Sequence, residues 1–155
     1  MKTPEFIMIH HTAISTHKNP DQFKATNNYH RLKWNIKSSL GYYVGYHYEI
    51  SAGGEVRQSR RDGEPSVACW QKNMNDGRCV HICLDGNFDT DQLLPVQVYA
   101  LRDVLNNLVD KYKINKNHIF FHNDFAKKTC PGKNIQKSFI VSLLHNSKTA
   151  VKASK

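Results

Sequence analysis

Long apolar runs are missing from this chain of 155 residues. Nothing in it approaches the roughly 20 consecutive apolar residues that a helix needs to cross a bilayer. The early run Phe6 to Ile9 is too short for a signal-peptide core and has no small-residue cleavage site behind it. The expectation is therefore a protein made in the cytoplasm without an export address of its own. Cysteine is sparse: Cys69, Cys79, Cys83 and Cys130 do not fall at paired zinc-finger spacings, and without a secretory signal they do not read as a disulfide framework. Cys79 and Cys83, in a strand, would stand about 13 Å apart, beyond disulfide reach, so buried thiols are expected. Acidic residues are few, 13 against 22 Lys and Arg, for a net charge of +9. That balance draws a protein toward polyanions such as nucleic acid, anionic lipid or cell-wall polymers. The basic residues are spread along the chain, apart from the Lys-rich end 148–155, and no helix-turn-helix, zinc-finger or RNA-binding signature accompanies them. Nucleic acid is not the expected partner.

Internal repeats and linkers are also absent, and the length suits one domain with its own core. Phe6-Ile7-Met8-Ile9 reads as a strand covered on both faces, ending at His10-His11-Thr12. Asp21 to Trp34 follows Asn19-Pro20 and carries near-helical spacing. Val44 to Ile50 and Glu55 to Arg60 flank Ser51-Ala52-Gly53-Gly54 as a hairpin, which places Tyr46 in a strand. Asp62 to Gly77 reads as a long irregular loop. Cys79 to Leu84 is a further strand, and Pro95 to Tyr112 is a helix with Pro95 in its first turn. His118 to His122 is a short strand, Thr129 to Gly132 a turn, and Ile135 to Leu144 a last helix. The alternation predicts an α/β domain, residues 1–145, with a mixed central sheet flanked by helices, and a basic, flexible tail, residues 146–155.

Chemistry concentrates where strands end. His10 or His11, then His122, then Cys130 stand just beyond apolar strands or in the turn after one. Imidazole and thiolate suit Zn²⁺, and three protein ligands with an open position is the composition of a catalytic site.

The segments Ile9-His10-His11-Thr12-Ala13, Val44-Gly45-Tyr46-His47-Tyr48-Glu49-Ile50 and His122-Asn123-Asp124 through Lys128-Thr129-Cys130-Pro131-Gly132, taken together and in order, resemble the type-2 zinc amidases, a family of phage endolysins, bacterial amidases and peptidoglycan recognition proteins. Asp85-Gly86-Asn87-Phe88 and the helix with Gln97 and Leu101 extend the resemblance from residue 5 to about residue 144. It implies one zinc ion held by His10, His122 and Cys130, with Tyr46 and Lys128 as catalytic residues. The implied reaction is hydrolysis of the amide between the lactyl group of N-acetylmuramic acid and L-Ala in peptidoglycan. His11, one position along the strand, then faces the other way as a hydrogen-bonded core residue.

Two segments depart from the family's pattern. Where an Ala-His pair is usual the chain has Ala68-Cys69, and where small residues are usual in the central strand it has Cys79-Val80-His81. Trp70 and Asn73 are candidate groove residues. His17, His30, His47, His81, His118 and His145 read as structural or surface histidines. The expectation is a monomeric phage-type endolysin that acts on the cell wall after release, with the basic tail engaging anionic outer-membrane lipid. The alternative is a recognition module that binds peptidoglycan without cutting it.

Overall fold

The computed structural model describes residues 1–145; the expected tail, 146–155, lies outside them. Strands β1 (Phe6–His11), β2 (Tyr48–Ile50), β3 (Val56–Gln58), β4 (Cys79–Leu84) and β5 (Ile119–Phe121) form one sheet in the order β3-β2-β4-β1-β5. Neighbours run parallel except β2 and β3, which pair antiparallel across the hairpin. The helices are α1 (Phe23–Lys33), α2 (Pro95–Tyr112) and α3 (Lys137–Ser142). This is the mixed α/β architecture that the sequence predicts. Among the described residues no helix is long and apolar enough to cross a membrane.

Strand parity divides the sheet into two unlike faces. Ile7, Ile9, Val80, Ile82, Leu84, Ile119 and Phe121 point to one side, where Leu101, Leu105 and Leu108 of α2 and Ile140 of α3 close an aliphatic core over them. Their partners in register, Met8 with His81 and His10 with Cys83, share the opposite side. There Met8 and Cys79 meet Cys69 and Met74 from the long loop in a smaller cluster. All four cysteines are buried and free.

α2 starts as its sequence demands. Pro95 occupies the first helical position, and the buried Gln97 reaches back to accept the Leu94 N–H at 3.3 Å while donating to the Asp85 carbonyl at 2.9 Å. α1 buries polar rather than apolar residues. Its inward residues are Thr26 and His30, bonded to Glu49 Oε2 at 3.1 Å and to the Gly45 N–H at 2.8 Å. Tyr29 and Leu32 stay mostly exposed, so polar contacts anchor this helix.

The hairpin strands are shorter than the sequence predicts, and Tyr46 lies ahead of β2, outside it. From Val44 to Tyr46 the backbone bonds largely to side chains where a ladder was expected. Arg60 Nε donates to the Val44 carbonyl at 2.8 Å, Ser66 Oγ to Gly45 O at 2.5 Å, and Ser59 Oγ to Tyr46 O at 2.6 Å. The strand expected over 118–122 contracts for a similar reason: His122 opens a 3-10 turn whose Asp124 carboxylate accepts the Phe121 N–H at 2.8 Å. The last helix spans Lys137–Ser142 rather than the longer range expected.

Candidate active site

Parallel strands that end in register present their next residues at one edge of a sheet, the usual place for a site in an α/β fold. Ile9 of β1 pairs with Phe121 of β5, so His10 and His122, each one residue on, emerge together with ring centroids 4.8 Å apart. Cys130 arrives from the following turn. Its carbonyl accepts the Asn123 N–H at 2.9 Å, its sulfur stands 3.9 Å from His10 Nδ1, and the His11 N–H points at that sulfur from 3.4 Å. One donor atom from each of His10, His122 and Cys130 lies within 4.8 Å of the other two, and all three residues are buried. The turn passes close to Phe88 because Gly132 adopts φ +115°; a Cβ there would stand 2.5 Å from the Phe88 carbonyl carbon.

Burial leaves both imidazoles with a lone pair for a cation. Burial holds His10 well below the ordinary imidazole pKa, with His81 and His122 pressing it further, and burial with the charge of Lys128 lowers His122 to about 4. Both rings are neutral at pH 7 and keep a lone pair. Burial pushes the Cys130 thiol up to about 12, opposed by the His11 N–H and by Lys128. A divalent ion between these groups would hold the sulfur as thiolate. Two neutral imidazoles and a thiolate are a donor set that zinc accepts, with a fourth position left for water or substrate. The residues present fit the metal.

Over this group opens a cavity of about 490 Å³ whose lining includes Tyr29, Trp34, Tyr46, Trp70, His122 and Lys128. Tyr46 lies over His10, ring centroids 5.1 Å apart. Burial, then the nearby Cys83, Cys130 and Glu49, raise its phenol well above the ordinary value, so it is a neutral donor at pH 7. Lys128 sits exposed on the rim. Trp70 is 68% exposed and donates from Nε1 to the Phe125 carbonyl at 2.7 Å. Asn73 is exposed and stands outside the lining; Asn75 takes that place and accepts the Cys69 N–H at 3.1 Å.

His11 turns away from the group, its Nδ1 accepting the Phe88 N–H at 3.1 Å, as expected of a core histidine. Two residues read as merely structural belong to the site. His30 lines the cavity, its ring 5.3 Å from that of Tyr46. His81 Nδ1 meets His10 Nε2 at 2.8 Å. The signal for His81 was the alternation Cys79-Val80-His81-Ile82-Cys83-Leu84, which puts it on the cysteine face of β4; only the register shows that His10 shares this face.

Comparison with known proteins agrees with this geometry. A family model described as N-acetylmuramoyl-L-alanine amidase matches residues 1–133. Peptidoglycan-recognition protein SC2 of Drosophila simulans is 28% identical over 136 residues, 84% of this chain and 69% of that protein. An endolysin of Enterobacteria phage K11 is 33% identical over 99 residues, 61% of this chain and 62% of that one. Among solved structures, the N-acetylmuramoyl-L-alanine amidase LysC from Clostridium intestinale superposes with a TM-score of 0.74 at 25% identity, covering 91% of this chain and 85% of its own. With most of its length matched by that model, and with this fold, the chain belongs to the N-acetylmuramoyl-L-alanine amidase family.

Proposed function

We propose that this chain is a zinc-dependent N-acetylmuramoyl-L-alanine amidase of the phage endolysin type, cutting the lactyl–L-Ala amide of peptidoglycan. The observation that carries this is the convergence of His10, His122 and Cys130 within 4.8 Å beneath a cavity that also holds Tyr46 and Lys128. The first three would hold the metal, which when bound supplies Lewis-acid polarisation of a carbonyl and a lower pKa for an attacking water.

The chain's own residues do the rest. The Lys128 ammonium on the rim stabilises the negative charge that grows on the carbonyl oxygen as water adds to the carbon. The C–N bond then breaks, and the departing amine needs a proton to leave neutral. Tyr46, a neutral phenol, donates from its hydroxyl and recovers the proton that the added water gives up, so it ends the cycle protonated. Its backbone is held by Ser59 and its neighbour Gly45 by Ser66 and His30, so the hydroxyl is placed before substrate arrives. The exposed indole of Trp70 offers a flat apolar surface to the substrate chain.

The second reading is a module that binds peptidoglycan without cleavage, favoured by the likeness to recognition proteins of Drosophila. Cys130 favours the enzyme, since a binding groove has no need of a buried sulfur between two imidazoles. Digestion of purified peptidoglycan with and without a zinc chelator separates the two. The amidase releases stem peptides with a new L-Ala amino terminus, loses this in chelator and regains it with zinc; binding without new termini would decide for the module. The protein is proposed to work as a monomer on the wall after release from the cytoplasm. Its basic tail would engage anionic outer-membrane lipid, and deletion of residues 146–155 should then weaken lysis from outside.

A further inference from the structure

His10 and His81 are 1% and 0% exposed, so their ring nitrogens have no water to satisfy them. The bonds they make fix every ring proton in turn. His81 Nε2 stands 2.6 Å from the Met74 carbonyl oxygen, and a carbonyl only accepts, so this nitrogen carries the proton of the neutral ring. His81 Nδ1 is then a lone pair. It faces His10 Nε2 at 2.8 Å, a contact that is a hydrogen bond only if His10 Nε2 carries the proton. His10 Nδ1, the nitrogen 3.9 Å from Cys130 Sγ, is left as the lone pair.

We propose that His81 is a positioning residue: through the chain Met74 O, His81, His10 it locks His10 in the tautomer and ring orientation that offer Nδ1 to a cation shared with His122 and Cys130. The proposal rests on the metal-site reading given above and adds to it a residue at a position where the family pattern expects a small one. The opposite tautomer of His10 would place a proton where the cation belongs and set two lone pairs against each other at the His10–His81 contact.

His81 is itself clamped. Its backbone N–H donates to His47 Nδ1 at 3.1 Å, and His47 Nε2, necessarily the protonated nitrogen, donates to the Glu64 carbonyl at 2.8 Å. The His47 and His81 rings stack, centroids 5.8 Å apart and 11° from parallel. Two backbone carbonyls, Met74 O and Glu64 O, thus set the polarity of the three-histidine array. Carbonyl oxygens do not change protonation state, so the array has a single arrangement while the rings are neutral. Partners of this kind beyond the ligands orient metal-binding histidines, and losing one typically weakens metal affinity 10–100-fold.

Two measurements test this. In the unsubstituted protein stripped of metal, nitrogen-15 NMR of the imidazoles should show His10 and His81 each with the proton on Nε2; a proton on Nδ1 of either ring overturns the proposal without any variant having to fold. Zinc affinity by competition with a chromophoric chelator is then compared for His81→Phe and His81→Gln. The phenyl ring cannot accept from His10, whereas the Gln amide can accept through its oxygen and donate to Met74 through its nitrogen. We expect a roughly 10–100-fold weaker zinc affinity in His81→Phe, a changed d–d spectrum of its Co²⁺ form, and recovery of most of the affinity in His81→Gln. A folded His81→Phe that binds zinc as tightly as the parent overturns the proposal. Failure of the parent to bind zinc would instead overturn the metal-site reading, and the tautomer measurement would still decide how His81 holds His10.

Discussion

In the proposed zinc site, metal retention would turn on the sulfur of Cys130. Replacing it with Ser keeps the shape but exchanges a soft thiolate for a hydroxyl that zinc binds poorly. Cys130→Ser should therefore lose zinc on dialysis, by elemental analysis, and release no L-Ala termini; full activity in the metal-free variant would refute the mechanism. In the proposed mechanism, Tyr46→Phe and Lys128→Ala would act on the chemistry alone. The first removes a proton donor and should lower kcat by about 10²- to 10⁴-fold. The second removes charge stabilisation and should lower it by about 10²- to 10³-fold. Both should retain zinc, and steady-state kinetics beside metal analysis would show this separation. Had either variant lost the metal instead, its role would be to hold the site together.

Between residue and molecule, the segment that carries Tyr46 is an element without a ladder of its own. Arg60, 2% exposed, spreads its guanidinium over three carbonyls: Val44 O at 2.8 Å, Pro65 O at 3.2 Å and Ile36 O at 2.8 Å. A Lys ammonium is a compact point that cannot reproduce this planar fork. Arg60→Lys should cost about 2–4 kcal/mol in chemical unfolding, since buried carbonyls are left unpaired, and should lower activity beyond what the loss of stability explains. The turn after the site depends on Gly132 in a comparable way. Gly132→Ala meets the Phe88 backbone and a disfavoured positive φ together, so zinc affinity should fall with a modest loss in melting temperature. Unchanged affinity would show that the turn can shift without moving Cys130.

At the scale of the whole molecule, buried titratable groups oppose one another in pH. Burial lowers His30 and His47 to about 4 in the folded protein, below the unfolded value near 6.5. The stability they contribute is present above about pH 6.5 and is lost as pH falls toward 4, because the unfolded chain takes up protons that the folded one refuses. Glu49 goes the other way. Burial and hydrogen bonding to Asp85 raise it, and with the otherwise unpartnered oxygens Glu49 Oε1 and Asp85 Oδ1 this indicates one proton shared by the pair. Its contribution is present below the unfolded pKa and is lost as pH rises through the raised folded value. Thermal melts of the metal-free protein should thus rise in Tm from acid toward pH 6.5 and decline on the alkaline side. Glu49→Gln should flatten the alkaline decline; an unchanged slope there would mean that Glu49 is ionised in the fold. At this scale the origin of each part of the protein becomes plain. Sequence by itself determined β1 and β4 as buried strands, α2 from its period and Pro95, the single domain, and the ligand candidates, because these follow from local periodicity and from side-chain chemistry carried by single residues. It left His10 and His11 equivalent until a family resemblance chose between them, and it put Tyr46 in a strand. Tertiary structure alone decided the faces: that His81 bonds to His10, that His30 joins the cavity and Asn73 does not, and that Arg60 replaces a ladder around Tyr46. Each of these depends on strand register and on contacts between residues far apart in the chain, which no local pattern encodes.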